Sequence, residues 1–195
     1  MGAIVKPTVV LLIICIVISA SLALTFALTK DRIAESETQE ADNARAAVFP
    51  DADFKLIYKL DSVEISALKE FPAVTELYSA LPTNGDGAAA GYVATVLNRG
   101  YGGEIEVIVG IRSDGIISGA RVSKHTETPG LGANAATPAF YEQFSGKDSS
   151  KTLGLSKIAA AASDNDIVAI SGATVTSGAV TNAVNAAARA LETIN

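Results

Sequence analysis

Thr8 to Leu28 is an unbroken run of 21 residues without a charge, closed by Lys30, Asp31 and Arg32. At 1.5 Å per residue such a run reaches roughly 31 Å as a helix, the thickness of a bilayer hydrocarbon core. The pattern predicts one membrane-spanning helix, with Pro7 where a first-turn proline is tolerated and with closing charges that cannot be left in lipid. A cleaved signal peptide is the rival, with Lys6 as its basic flank and Ser21-Leu22-Ala23 as a small-residue cleavage site. The apolar run continues past that site and exceeds the usual signal segment of about 7–15 residues, which favours an uncleaved anchor.

The pattern then changes. Residues 31–48 are polar and alanine-rich, with charges at Glu35, Glu37, Glu40, Asp42 and Arg45, and read as a helix standing in water, ended by Pro50 and Asp51. Short apolar stretches at 54–60 and 63–68 have no clear period. Residues 82–91 are dense in turn formers, with turns expected at Asn84-Gly85 and Asp86-Gly87. The glycines there do not make a dinucleotide loop, because such a loop follows a strand and opens a helix whereas this one precedes a strand. The main sign of NADH binding is thereby removed. Tyr92 to Leu97 alternates as a strand, residues 98–103 turn, and Glu104 to Ile111 forms a second strand that a hairpin at Ser113-Asp114-Gly115 joins to residues 116–122. Residues 137–144 and 151–162 read as helices and 167–170 as a short buried strand. Residues 177–194 carry Val180, Val184, Ala187, Leu191 and Ile194 at the spacing of one buried helical stripe. An antiparallel meander with flanking helices gives an α+β class. The expected organisation is a membrane anchor over 1–30, a helical stalk over 31–50 and a folded domain over 51–195.

Charge and cysteine usage narrow the function. After Arg32 the chain holds 12 Lys+Arg and 20 acids, a net of −8. So acidic a domain makes nucleic acid an unsuitable partner and keeps the domain away from anionic head groups, leaving the anchor as the contact with lipid. The single cysteine, Cys15, lies in the apolar run, so this chain alone builds no disulfide, iron–sulfur cluster or thiolate zinc site. A redox role therefore needs an organic cofactor. Lys6 and the amino terminus on one side face Lys30 and Arg32 on the other, so charge does not fix the orientation. A short amino-terminal tail before a large domain is the usual signal-anchor arrangement and favours a domain outside the cytoplasm.

The segment Ile167 to Ser177 reads as a strand that breaks at Gly172 and opens a helix. Such a junction suits an anion, because the first N–H groups of a helix have no internal partners and its dipole favours negative charge. Ser171, Thr174, Thr176 and Ser177 set four hydroxyls around the place a phosphate would take. Helix capping by Thr176 or Ser177 is the plainer reading and accounts for two of them.

Ser171-Gly172-Ala173-Thr174-Val175-Thr176-Ser177 resembles the flavinylation motif of the FMN-binding domain shared by the G subunit of Rnf complexes and the C subunit of sodium-pumping NADH:quinone reductases. In that family the threonine closing Ser/Thr-Gly-Ala-Thr carries FMN through a phosphoester, installed by a flavin transferase that uses FAD and magnesium. The resemblance makes Thr174 the acceptor. A second block, His125-Thr126-Glu127-Thr128-Pro129-Gly130-Leu131-Gly132, is similar to the family's Glu-Thr-Pro-Gly-Leu-Gly loop, which lies against the flavin ring. Pro129 and Leu131 there offer apolar surface to an isoalloxazine, and Gly130 and Gly132 let main-chain amides reach its polar edge. His125 is open to two readings, one tuning flavin protonation and one structural. Gly91-Tyr92-Val93, Gly100-Tyr101-Gly102-Gly103 and Val109-Gly110-Ile111 extend the likeness, and the Gly-Tyr-Gly-Gly turn with the single anchor is closer to the Rnf protein. One position departs from the family pattern: Val168 stands where an acidic residue is usual.

The resemblance implies an electron-carrying subunit of an ion-translocating ferredoxin:NAD oxidoreductase, a redox part of a larger translocase and not a complete enzyme. Its partners would be other membrane subunits of the complex and, during maturation, the flavin transferase. The rivals are a C-type component of a sodium-pumping reductase, a stand-alone flavin donor and a non-redox membrane-anchored assembly module.

Overall fold

In the computed structural model, which describes residues 2–66, 68, 70–83 and 88–192, the chain divides into two units, Met1–Glu40 and Ala41–Asn195. The turns expected at Asn84-Gly85 and Asp86-Gly87, and the stripe residue Ile194, lie outside the described residues. Helix α1 spans Gly2–Val48. Among the described residues it is the one helix long and apolar enough to cross a membrane, with a mean hydropathy of 2.9 over its most apolar stretch. The hydroxyls of Ser21, Thr25 and Thr29 donate to the carbonyls of Val17, Ser21 and Thr25, at 2.8, 2.9 and 2.8 Å. These polar groups of the apolar run are thus satisfied inside the helix, as a hydrocarbon surrounding requires.

The second unit begins with the last turns of α1. A stalk standing in water over 31–50 was the expectation, yet Arg45, Val48 and Phe49 are buried. Val48 and Phe49 join Ala80, Val93 and Ile108 in a small apolar cluster. Gly110 and Gly119 pair across two strands, and a Cβ on Gly110 would approach the Val48 carbonyl to 2.9 Å. Only a bare backbone lets the helix end pack so closely.

Five antiparallel strands follow in the order β1-β2-β3-β4-β5: β1 (Ala52–Lys59), β2 (Ala73–Pro82), β3 (Gly91–Arg99), β4 (Glu104–Arg112) and β5 (Ile117–His125). The short helix α2 (Ser62–Ser66) joins the first two. The meander of β3, β4 and β5 is the expected one. Strand β2 was not foreseen, because a bulge between Val74 and Glu76 breaks its alternation. On β4, Ile105, Val107, Val109 and Ile111 face the main core while Ile108 faces the α1 end, so both sides of the strand are buried.

Helix α4 (Thr174–Glu192) covers the main core face through Val180, Val184, Ala187 and Leu191, the expected stripe. It starts three residues earlier than expected. Residues 137–144 form the short helix α3 (Pro138–Tyr141) and a 3-10 turn at Glu142–Phe144. The helix expected over 151–162 is not formed. In its place are strand β6 (Gly154–Ser156), parallel to β7 (Asp166–Val168), and a 3-10 turn at Ala159–Ala161. Tertiary bonds override the helical propensity of the alanines. The Asn185 side chain accepts from Leu153 N at 2.9 Å and donates to Leu153 O at 3.0 Å, fixing that backbone in an extended form.

A polar network ties the end of α1 to the sheet. Arg45 reaches Glu76 at 2.9 Å and lies 4.3 Å over the Tyr78 ring, while Lys59 reaches the other Glu76 oxygen at 2.5 Å. Burial disfavours the Glu76 charge, but hydrogen bonds from Lys59 and Tyr78 and the charges of Lys59 and Arg45 outweigh it, holding the carboxyl below its ordinary 4.5. Burial and the bond to Glu76 push the Tyr78 hydroxyl up to about 12, so it remains a donor across the neutral range. A folded value below the unfolded one makes the Glu76 contribution complete above the ordinary carboxyl range and lost as pH falls through the folded value. Glu76→Gln is expected to lower stability at neutral pH by about 1–2 kcal/mol and to flatten the acid limb that sets in as pH falls below the ordinary carboxyl range. Urea unfolding at several pH values measures both, and an unchanged acid limb refutes the assignment.

Candidate functional site

Strand β7 enters the site on a side-chain clamp: Val168 N donates to Gln143 Oε1 at 2.8 Å and Gln143 Nε2 returns a bond to Val168 O at 3.3 Å. Position 168 is thus held through its backbone, whatever its side chain. Past it the chain reverses at Gly172, whose φ of +78° is a left-handed conformation that strongly favours glycine. Ser177 closes the bend. Its hydroxyl donates to Ala173 O at 2.9 Å and accepts from Ile170 N at 3.0 Å. The first intrahelical bond of α4 runs from Ser177 N to Ala173 O at 2.9 Å, so the amides of Thr174, Val175 and Thr176 precede it without helical acceptors. They form the positive end of a 19-residue helix, where an anion is favoured.

The loop after β5 is tied to this end by one carboxyl group. Glu127 is buried; its Oε2 accepts from Thr176 Oγ1 at 2.8 Å and its Oε1 from Gly102 N at 3.1 Å. Three segments distant in sequence therefore meet on one side chain. The Thr128 carbonyl accepts from Leu131 N and Ala133 N, both at 3.2 Å, and Asn134 Nδ2 donates to Gly130 O at 3.1 Å, which folds the Pro-Gly turn back on itself. Glu127 N donates to His125 Nδ1 at 3.3 Å. His125 stands at the root of the loop, outside the cleft, and the structural reading is the one its contact favours.

Between the segments lies a cleft of about 380 Å³, lined by Tyr101, Glu127, Thr128, Leu131, Gly132, Gly172, Ala173, Thr174, Val175 and Thr176. That volume is of the order of a small-molecule site. Of the residues singled out in the sequence, Glu127, Thr128, Leu131, Gly132, Gly172, Ala173, Thr174 and Thr176 come together on its wall. Ser171, Pro129, Gly130 and Ser177 do not line it. Thr176 and Ser177 lie inside the first turn of α4, so neither is the helix cap.

The four hydroxyls are sharply sorted. Ser177 is buried and doubly bonded, and Thr176 is buried and committed to Glu127. Thr174 is half-buried, faces the cleft and has no hydrogen-bond partner among the described residues. Tyr101 and Val175 line the cleft without having been singled out as site residues. The sequence signal for Tyr101 was its place between glycines, and for Val175 its place directly after Thr174.

The family model described as FMN-binding domain matches residues 100–189, and that described as RnfG N-terminal region matches residues 1–48. The chain is 37% identical over 182 residues to the G subunit of the Na(+)-translocating ferredoxin:NAD(+) oxidoreductase complex of Acetobacterium woodii, covering 92% of this chain and 87% of that protein. This chain belongs to the Rnf G-subunit family. The G subunit of the ion-translocating oxidoreductase complex of Methanosarcina acetivorans is 31% identical, over 93% of this chain and 91% of its own length. The fold is shared with the C subunit of the Na(+)-translocating NADH-quinone reductase of Parabacteroides distasonis, at a TM-score of 0.54 and 20% identity over 79% of this chain and 93% of that one.

The residues present fit an FMN. The open amides of α4 suit its phosphate, and Leu131 and Val175, 45% and 58% exposed, offer bare apolar surface beside them for a ring system.

Proposed function

We propose that this chain is the flavin-carrying electron relay of an ion-translocating ferredoxin:NAD oxidoreductase complex, with FMN joined by a phosphoester to Thr174. In this reading the membrane anchor runs over 1–30 and the flavin domain lies outside the cytoplasm, with residues 31–50 between them. The single observation that carries the linkage is the sorting of hydroxyls: of the four in the motif, Thr174 alone both faces the cleft and is uncommitted.

Attachment would use FAD as donor. Thr174 Oγ1 bonds to the phosphorus of the FMN half, the pyrophosphate P–O bond breaks, AMP leaves with the bridging oxygen, and the hydroxyl proton passes to a base on the flavin transferase. The first-turn amides of α4 then hold the phosphoester charge. The flavin supplies reversible electron uptake when bound. The protein supplies position: the Glu127 clamp fixes the loop and turn beside α4, and Leu131 and Val175 offer apolar surface to the ring. A covalent tether keeps the group from being lost where free FMN is dilute. Other membrane subunits of the complex are the electron partners, in keeping with the likeness to the Acetobacterium woodii G subunit across both units of the chain.

Intact mass of the full chain co-expressed with a flavin transferase tests the reading. The expected gain is one FMN less one water, placed on Thr174 by peptide mapping. An unmodified chain from a host with an active transferase refutes it.

A further inference from the structure

We infer that Tyr101 is the residue that stacks on the isoalloxazine ring; the inference rests on the FMN reading above but not on the Thr174 linkage. The turn that carries Tyr101 is held by three hydrogen bonds. Gly100 N donates to Gly103 O at 2.7 Å, Gly102 N donates to Glu127 Oε1 at 3.1 Å and Thr126 Oγ1 donates to Gly102 O at 3.2 Å. Cβ atoms on Gly100 and Gly102 would overlap Glu127 Oε1 and the Thr126 carbonyl, so the backbone lies directly on the loop that walls the cleft. Three hydrogen bonds and two close approaches thus fix the backbone on either side of one side chain.

That side chain has no structural duty of its own. Tyr101 is 76% exposed, lines the cleft, and its hydroxyl has no partner among the described residues. Tyr78 and Tyr141, by contrast, lie under the guanidinium groups of Arg45 and Arg121 at 4.3 and 3.7 Å. A bare aromatic ring carried on a fixed backbone, lining the same cleft as Leu131 and Val175, matches a planar, polarisable ligand, and an aromatic pair contributes beyond the area it buries. Tyr101 is then a positioning residue for the flavin, setting its tilt in the cleft.

The test uses the full chain in detergent in two forms: loaded by co-expression with the transferase, and unloaded and titrated with free FMN. An excited flavin takes an electron from a touching phenol ring and returns it without net change, so stacking on tyrosine quenches its emission. Wild-type chain is expected to show short-lived, weak emission that rises several-fold on denaturation. Tyr101→Leu is expected to raise native emission several-fold and to weaken binding of free FMN about tenfold. Tyr101→Phe is expected to keep the affinity within about twofold, because the ring remains, yet to lose the quenching, because phenylalanine is far harder to oxidise. A structural role alone would not separate those two readouts. Equal affinity and equal emission in wild type and Tyr101→Leu overturn the inference. Free FMN that binds with Tyr101-dependent quenching while no mass is added to the loaded form overturns the Thr174 linkage and leaves Tyr101 standing. An attached flavin indifferent to Tyr101 does the reverse, and a chain that neither carries nor binds FMN removes both.

Discussion

Thr174→Ala, co-expressed with a flavin transferase, is expected to yield a folded, full-length chain with no flavin fluorescence on a denaturing gel and no added mass. The effect is all or none because a phosphoester needs an oxygen at that position. It should also be clean. The Thr174 hydroxyl has no partner among the described residues, so its removal is expected to change stability by no more than about 0.5 kcal/mol. The neighbouring hydroxyls give the contrast. Ser171→Ala, exposed and off the cleft wall, is expected to leave loading unchanged. Ser177→Ala removes the bond to Ile170 N that closes the bend and is expected to cost about 1–2 kcal/mol while leaving the acceptor in place. A Thr174→Ala chain that still carries covalent flavin, or a Ser171→Ala chain that loses it, would transfer the acceptor role elsewhere.

The parts of this protein that sequence pattern reached were those set by local chemistry. The charge-free run before Lys30 marked the one helix among the described residues that is apolar enough to cross a membrane, alternation gave β3 and β4, and the stripe from Val180 to Leu191 gave the buried face of α4. The residues in the motif were legible as a strand, a bend and a helix start. Their division of labour was not, because it depends on Glu127, which lies 49 residues from Thr176 along the chain and 2.8 Å from it in space. Without that contact Thr176 and Ser177 look like caps and Thr174 looks like one hydroxyl among four. The same holds for the failed helix at 151–162, where Asn185 commits the Leu153 backbone from another element. Strand β2 was hidden by its own bulge, which shifts the apolar positions out of a period of two. Long-range side-chain bonds lie behind the first two misses and an irregular strand pairing behind the third, and no window along the sequence reports either.

Glu127→Ala has the largest expected effect on stability among the cleft residues. The carboxyl group is buried and holds Gly102 N and Thr176 Oγ1 at once, so its loss leaves the buried Thr176 hydroxyl without its partner and turns Gly102 N, in an exposed turn, over to water. An unmet buried polar group costs about 1–3 kcal/mol and the lost bond to Gly102 N adds about 0.5–1.5 kcal/mol, so the sum comes to about 2–4 kcal/mol. Glu127→Gln is milder, near 1 kcal/mol, because an amide oxygen still accepts from Gly102 N and the amide nitrogen offers a hydrogen to the Thr176 oxygen. Thermal or urea unfolding of the unloaded chain measures these differences with no flavin present. The second readout is loading: with the three segments released from one another, the Glu127→Ala chain is expected to be flavinylated several-fold more slowly, while Glu127→Gln stays near wild type. Equal stability of the alanine variant and the parent would show that the turn, the loop and the helix are held together by something other than this carboxyl, and the cleft would then need a different account of how its walls stay in place.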